Sequence, residues 1–181
     1  MTQKTFTAAS LAAQAMGWID PVTKAVVPPI HMASTYLRDE DNAYRSGRIY
    51  ARADNPTFDQ VEATLAALEG GARALVSAAA AMSVTHQVGL AGARLAVDST
   101  VGTPVLSRPL SLGADIVMHS ATKYLNGHSD IIAGALVGAK DDEHWLKLRQ
   151  VRAQLGTILG QTEAWLLMRG IRTLWPRVDW A

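Results

Sequence analysis

The chain has 181 residues, 49% hydrophobic and 18% charged, with a formal net charge of +1 at neutral pH. This composition suits a globular domain with a real core and excludes a disordered tract or a chain drawn by net charge to nucleic acid or acidic membranes. With no cysteine, disulfide scaffolds, cysteine-based zinc sites and thiol catalysis are excluded, and apolar runs too short for a bilayer make a soluble cytoplasmic protein the expectation. Met1 to Phe6 lacks the apolar stretch of a secretion signal.

Residues 1–56 read as loop-rich. Pro21, Pro28 and Pro29 punctuate them, and Tyr36, Tyr44 and Tyr50 are spread through polar sequence. With little to bury locally, the segment reads equally as an arm that packs on another chain or as a mobile N-terminus. Thr57-Phe58-Asp59-Gln60 reads as a capping box behind Asn55-Pro56 and predicts a helix from Thr57. Val61, Leu65 and Leu68 recur at helical spacing, and Gly70-Gly71 ends the helix. Ala74-Leu75-Val76-Ser77 runs into the four alanines Ala78 to Ala81, which favour a helix to about His86. Leu95-Ala96-Val97-Asp98, Ile116-Val117-Met118 and Ala135-Leu136-Val137 read as short buried strands. Their helical and glycine-rich connections predict a parallel or mixed sheet in an α/β fold. A helix is expected from Asp141, with Trp145, Leu148 and Val151 on one face, and another over 162–169. The apolar end, Trp175 to Ala181, reads as a place where more structure should follow.

Lys123 is the leading candidate for chemistry. It follows the apolar run ending at Met118-His119, with Ser120 and Thr122 beside it and the turn-forming Gly127 behind. A lysine at a strand end, shielded from water, can lose its proton and attack an aldehyde as a free amine, and the hydroxyls beside it can hold an anionic group of the same ligand. Asp98 closes its strand, as a turn residue or as a partner for a ligand cation. Tyr50 and Arg52 are an ordinary surface pair or a phosphate grip. The five histidines show no metal-ligand spacing, so structural or surface roles are expected for them. Glu62 and Glu69, seven apart on one helix, read as a solvated face.

Taken together, the run Ser120-Ala121-Thr122-Lys123-Tyr124-Leu125-Asn126-Gly127-His128-Ser129-Asp130, the acid Asp98 ahead of it and Tyr50-Ala51-Arg52 before Asn55-Pro56-Thr57 closely resemble one family. It is the Cys/Met metabolism, or transsulfuration, family of pyridoxal-phosphate-dependent enzymes, of the cystathionine gamma-synthase and lyase type. The stretch 103–110 is also similar. The resemblance implies an α/β fold, a reduced aspartate-aminotransferase-like (fold type I) large domain, with pyridoxal 5'-phosphate as cofactor. It implies that Lys123 holds the cofactor covalently and shuttles the substrate α-proton. Asp98 pairs with the pyridinium nitrogen and keeps it protonated. Ser120 and Thr122 bind the phosphate within the chain, and Tyr50 and Arg52 bind it across the interface of a homodimer or homotetramer. The implied reaction is elimination or replacement at the β or γ carbon of a sulfur amino acid or homoserine ester.

The resemblance comes in two blocks, 7–76 and 91–178, joined within 78–90 where the family has a much longer insert. That insert brings the aromatic residue that stacks on the cofactor ring and several strands. The family's Ser-Gly-Met phosphate turn falls here on the alanine run, with Met82 its one echo. The C-terminal domain, which supplies the arginine for the substrate carboxylate, has no counterpart. The implied layout is an intersubunit arm, 1–56, and a shortened cofactor-binding domain, 57–181. Loss of strands should expose apolar surface. Three accounts stand: an internally deleted derivative of a full enzyme, a degenerate paralogue, and a compact variant whose dimer replaces what was lost. The first is preferred, because the motifs stay while the missing parts vanish wholesale. The functional alternative is a non-catalytic fragment or pseudoenzyme that retains part of the cofactor site.

Overall fold

The computed structural model describes residues 6–78 and 94–181. The helix expected over the alanine run lies, from residue 79 onward, outside them.

Thr7 caps α1 (Ala8–Ala13), its hydroxyl accepting from the Ser10 N–H at 3.2 Å. A 3-10 turn, Ala15–Gly17, follows. Ala12 and Ala15 are buried in the main core, so the start of the arm packs within its own chain. The stretch beyond is largely exposed, to the extreme of Leu37 at 93%, and is pinned by an isolated bridge between Thr35 and Tyr50.

The next helix, α2 (Pro56–Glu69), starts one residue before the sequence expectation. Asn55 is the cap, its carboxamide oxygen accepting from the Thr57 N–H at 2.9 Å. Pro56 fits the first helical position because it has no N–H to leave unpaired. The Thr57 hydroxyl is engaged elsewhere: it accepts from the His31 N–H at 3.0 Å, while Asn55 Nδ2 donates to the His31 carbonyl at 3.0 Å. Gly70 ends the helix in the left-handed conformation, as expected.

The strands are β1 (Arg73–Ser77), β2 (Ala96–Asp98), β3 (Ile116–His119) and β4 (Gly134–Gly138). A short helix, α3 (Thr103–Leu106), and a 3-10 turn, Pro109–Leu112, connect β2 to β3. The sheet is mixed, in the order β1-β4-β3-β2, and only β2 with β3 is parallel. The strand β1 was not expected from sequence. Ala74 to Val76 carries no alternation that separates it from the alanine run, and only pairing with β4 decides it.

After the sheet come α4 (Glu143–Leu155), α5 (Gln161–Ile171) and α6 (Leu174–Trp180). Asp142, rather than Asp141, caps α4 through the Trp145 N–H at 3.0 Å. Alternation along the strands splits the core into two layers. Val76, Val117, Ala135 and Val137 meet α2, α5 and the start of α6 on one face, through residues such as Leu65, Leu167 and Leu174. Leu75, Ile116, Met118 and Leu136 meet Trp145 and Leu148 of α4 on the other.

Two buried polar nodes tie these layers, and both overturn the solvated reading of the α2 glutamates. Glu69 bonds His119 at 2.7 Å, with both side chains fully buried. Glu62 pairs with Arg152 at 2.9 Å, and the same guanidinium donates to the Val76 and Ala53 carbonyls at 2.9 and 3.2 Å. Spacing along one helix could not reveal partners that lie on β3 and α4.

Arg152→Met removes the guanidinium that balances a largely buried carboxylate and should cost about 3 kcal/mol in urea unfolding. Burial pushes the Glu62 carboxyl above its ordinary 4.5, against the pull of Arg152. A raised folded pKa means a contribution fully present below the unfolded value and lost as pH rises through the folded one. Glu62→Gln should therefore show a flatter stability profile than the parent as pH rises from about 4.5, checked by urea titrations across that window.

Candidate functional site

Parallel pairing puts the C-terminal ends of β2 and β3 on one edge of the sheet, with Asp98 opposite Met118. Just beyond, Thr100 joins the two ends. Asp98 Oδ1 accepts from the Thr100 N–H at 2.9 Å and from its hydroxyl at 2.6 Å. Thr100 Oγ1 in turn accepts from the Ser120 N–H at 2.8 Å. The acid and the lysine loop are thus coupled through one residue.

From Ser120 the chain winds into a helical turn. Lys123 N–H donates to the Ser120 carbonyl at 3.0 Å, Asn126 N–H to Ala121 at 3.0 Å, and Gly127 N–H to Lys123 at 2.7 Å. Ala121, Leu125 and Asn126 are buried, which leaves Lys123 facing solvent. Thr122 secures the turn to the segment before β4, its hydroxyl accepting from Ala133 N–H at 2.9 Å and donating to Ala133 O at 3.2 Å. The one proton of that hydroxyl is therefore committed to backbone. No hydrogen bond among the described residues engages the Ser120 hydroxyl.

A cleft of about 710 Å³ opens here, lined by Thr122, Lys123, Tyr124, Ile131, Ile132 and Arg177 among others. A second cleft of about 540 Å³ shares Ser129, Ile131 and Ile132 with it and reaches Ala78, just after β1. The start of the alanine run therefore lies at the same end of the sheet as Lys123.

Two participants were not singled out from sequence. Thr100, two residues after Asp98, has the spacing of a local turn around an acid, a signal that could have been read. Arg177 has no local signal. Its Nη1 donates to Tyr124 O at 2.7 Å, its Nη2 to Gly170 O at 2.8 Å and its Nε to Thr173 Oγ1 at 3.0 Å. It thereby holds the lysine turn to the ends of α5 and α6. Desolvation pulls its pKa below the ordinary arginine value.

Tyr50 and Arg52 stand apart on the arm. Arg52 lies over the Tyr50 ring, 5.5 Å from its centroid, and both residues are exposed. Among the described residues, no hydrogen bond, ion pair or ring contact links either to Asp98, Ser120, Thr122 or Lys123. The chain by itself brings four of the six expected residues together and leaves this pair outside.

The donor set fits pyridoxal phosphate. Lys123 is exposed and not shielded from water as expected, because the buried side of its turn is taken by Ala121, Leu125 and Asn126. Its amine is open to an aldehyde, the exposed Asp98 carboxylate suits a ring nitrogen, and the unengaged Ser120 hydroxyl suits a phosphate. Of the expected phosphate turn, Ala79 to Met82 lies outside the described residues.

Comparison with known proteins agrees. The family model for the Cys/Met metabolism PLP-dependent enzymes matches residues 9–90 and 79–181. The cystathionine beta-lyase of Lactococcus lactis subsp. cremoris is 49% identical over 83 residues, 46% of this chain and 22% of that protein. The cystathionine gamma-synthase of Escherichia coli K12 is 31% identical over 235 aligned positions, covering 86% of this chain and 60% of that protein. Those 235 positions exceed the 181 residues of the chain, so the alignment crosses gaps in it. Among solved structures, the cystathionine gamma synthase of Xanthomonas oryzae pv. oryzae superposes with a TM-score of 0.87 at 26% identity, over 96% of this chain and 65% of that one. The chain thus spans well under two thirds of some relatives and just under two thirds of others. The fold is that of the fold type I large domain, as expected.

Gly127 sits at a φ of 72°, and a Cβ there would run into the Arg177 guanidinium. Gly127→Ala should therefore lose about 1 kcal/mol or more in urea unfolding, combining backbone strain with displacement of the arginine that holds the lysine turn.

Proposed function

Because the chain belongs to the Cys/Met metabolism family of pyridoxal-phosphate-dependent enzymes, we propose that it acts in transsulfuration-type chemistry, by elimination or replacement at the β or γ carbon of a sulfur amino acid or homoserine ester. The observation that carries this reading is the Asp98–Thr100–Ser120 link, which ties a carboxylate to the start of the turn whose Thr122 and Lys123 line the cleft. When bound, pyridoxal phosphate supplies an electron sink to a substrate carbon that loses a proton. Lys123 would hold the cofactor through its amine, and its Nζ would carry the proton taken from the substrate α-carbon. Asp98 keeps the ring nitrogen protonated. Ser120 donates its hydroxyl to the phosphate. Thr122 adds a second donor only by giving up its bond to Ala133 O.

Tyr50 and Arg52 complete the phosphate grip from a second subunit of a homodimer or homotetramer. Their exposure and their separation from the site in one chain support that assignment. The arm, 1–56, then serves between subunits and 57–181 binds cofactor. Among the described residues no helix is long and apolar enough to cross a membrane, and the proposed place of work is the cytoplasm.

A second reading, a non-catalytic chain that retains part of the site, is favoured by the committed Thr122 hydroxyl. One experiment separates them. Purified chain titrated with pyridoxal phosphate should gain a visible band that is absent from Lys123→Ala, and borohydride should fix the group on Lys123. Turnover of sulfur amino acids or homoserine esters by the loaded parent, and not by Lys123→Ala, then follows. Identical spectra for the two proteins would decide for the non-catalytic reading.

A further inference from the structure

Among the described residues, β2 is the last strand of the sheet on its side, and its Ala96 and Asp98 are exposed. Its bonds to β3 fix which backbone groups face outward. Leu95 O accepts from the Asp115 and Ile116 N–H groups at 2.9 and 3.2 Å, and Ser99 N–H donates to Met118 O at 2.9 Å. In a parallel ladder alternate residues bond the same neighbour, so Leu95, Val97 and Ser99 face β3. Ala96 and Asp98 turn their N–H and C=O groups away from β3, and among the described residues no neighbouring strand takes them up. A row of unpaired backbone groups is a template for another strand.

We propose that this edge pairs with the same edge of a second copy of the chain, antiparallel about a two-fold axis at Ala96. The register follows from the backbone and the charges together. Only outward-facing residues can form the hydrogen-bonded pairs of such a ladder, and of the registers this allows, the one with Ala96 opposite Ala96 sets Arg94 opposite Asp98 of the second copy. That register is self-complementary on both faces. Arg94 and Asp98 share a face with Ala96, so two opposite-charge pairs flank a centre small enough for close approach. On the other face Leu95, 55% exposed, lies against Val97 of the second copy, an apolar pair. Both charged groups have capacity left. Arg94 uses Nη2 on Asp142, and Asp98 uses Oδ1 on Thr100. A register shifted by one residue would present inward-facing backbone groups and fail. The occupant is therefore a second copy, selected by charge order and hydrogen-bond phase. This interface is separate from the one proposed for the arm.

Ala96→Pro deletes an outward N–H and leaves the β2–β3 bonds intact, a substitution that edge strands tolerate. Sedimentation velocity should show the particle falling to half the mass of the parent assembly, with circular dichroism unchanged. An unchanged mass in a folded Ala96→Pro protein overturns the proposal. Arg94→Asp puts like charges opposite each other twice and should weaken self-association about tenfold, and the double variant Arg94→Asp/Asp98→Arg should restore it. The chain has no cysteine, so Ala96→Cys introduces one thiol on the axis, where Cα atoms about 5.5 Å apart allow a disulfide. Mild oxidation should give a covalent dimer from Ala96→Cys and not from the exposed, off-axis Val101→Cys. If Ala96→Pro does not fold, this result decides: equal cross-linking at both positions, or none at Ala96, rejects the axis.

Discussion

The parallel alignment of β2 with β3 is the constraint on which the site depends. Parallel strands finish at the same edge of a sheet, so Asp98 and Ser120, distant in sequence, leave it side by side. The antiparallel β4 begins at that edge, which brings Ala133 within reach of Thr122. The strand β1 is antiparallel to β4 and so ends there as well, at Ser77. One topological choice therefore gathers the acid, the lysine turn and the entry to the alanine run. Had β2 run the other way, Asp98 would close its strand at the far end, away from Ser120.

What holds this arrangement is polar and buried. The guanidinium of Arg152 contacts α2, the end of β1 and the arm from a single position on α4. The pair of Glu69 and His119 ties the end of α2 to the last residue of β3, one step before Ser120. Both nodes remove charge or polarity from water, which is tolerable only with partners in place. Arg177 does the corresponding work outside the core, where carbonyl oxygens accept from a guanidinium that has no carboxylate among its hydrogen-bond partners. The lysine turn is thus gripped from below by His119 and from the side by Arg177, and Lys123 itself is left free to act.

These facts also mark what the sequence could disclose. Strand positions at Val97, Val117 and Leu136 were legible because apolar residues between turn signals have few alternatives. Helix ends at Gly70 and near Asp142 were legible because capping chemistry is local. The glutamates of α2 were misread because their partners stand on other elements and periodicity on one helix says nothing of them. The strand β1 was missed because alanine, favourable to helix, follows a run that only its pairing partner defines. Lys123 and Asp98 were singled out as candidates through a motif whose shape is local. Nothing within a few residues of Arg177 marks it, since its ligands are carbonyls on Tyr124 and Gly170.

Among the described residues, β2 bounds the sheet on one side. Leu95 at that boundary is 55% exposed, and the strand is only three residues long. So short an edge offers few hydrogen bonds, which itself limits promiscuous pairing. It also carries a charge of each sign at fixed spacing about Ala96, so a partner must match both phase and charge. The same Asp98 is a candidate ligand-binding residue, with Oδ1 held by Thr100 and Oδ2 outside that bond. Backbone pairing leaves that side-chain bond untouched, because N–H and C=O lie in the plane of the sheet while the carboxylate stands out of it. Edge and site can therefore share a residue without sharing its atoms, except where Arg94 of the second copy approaches the carboxylate. At that one point occupancy of the edge and the charge available to a ligand are physically coupled.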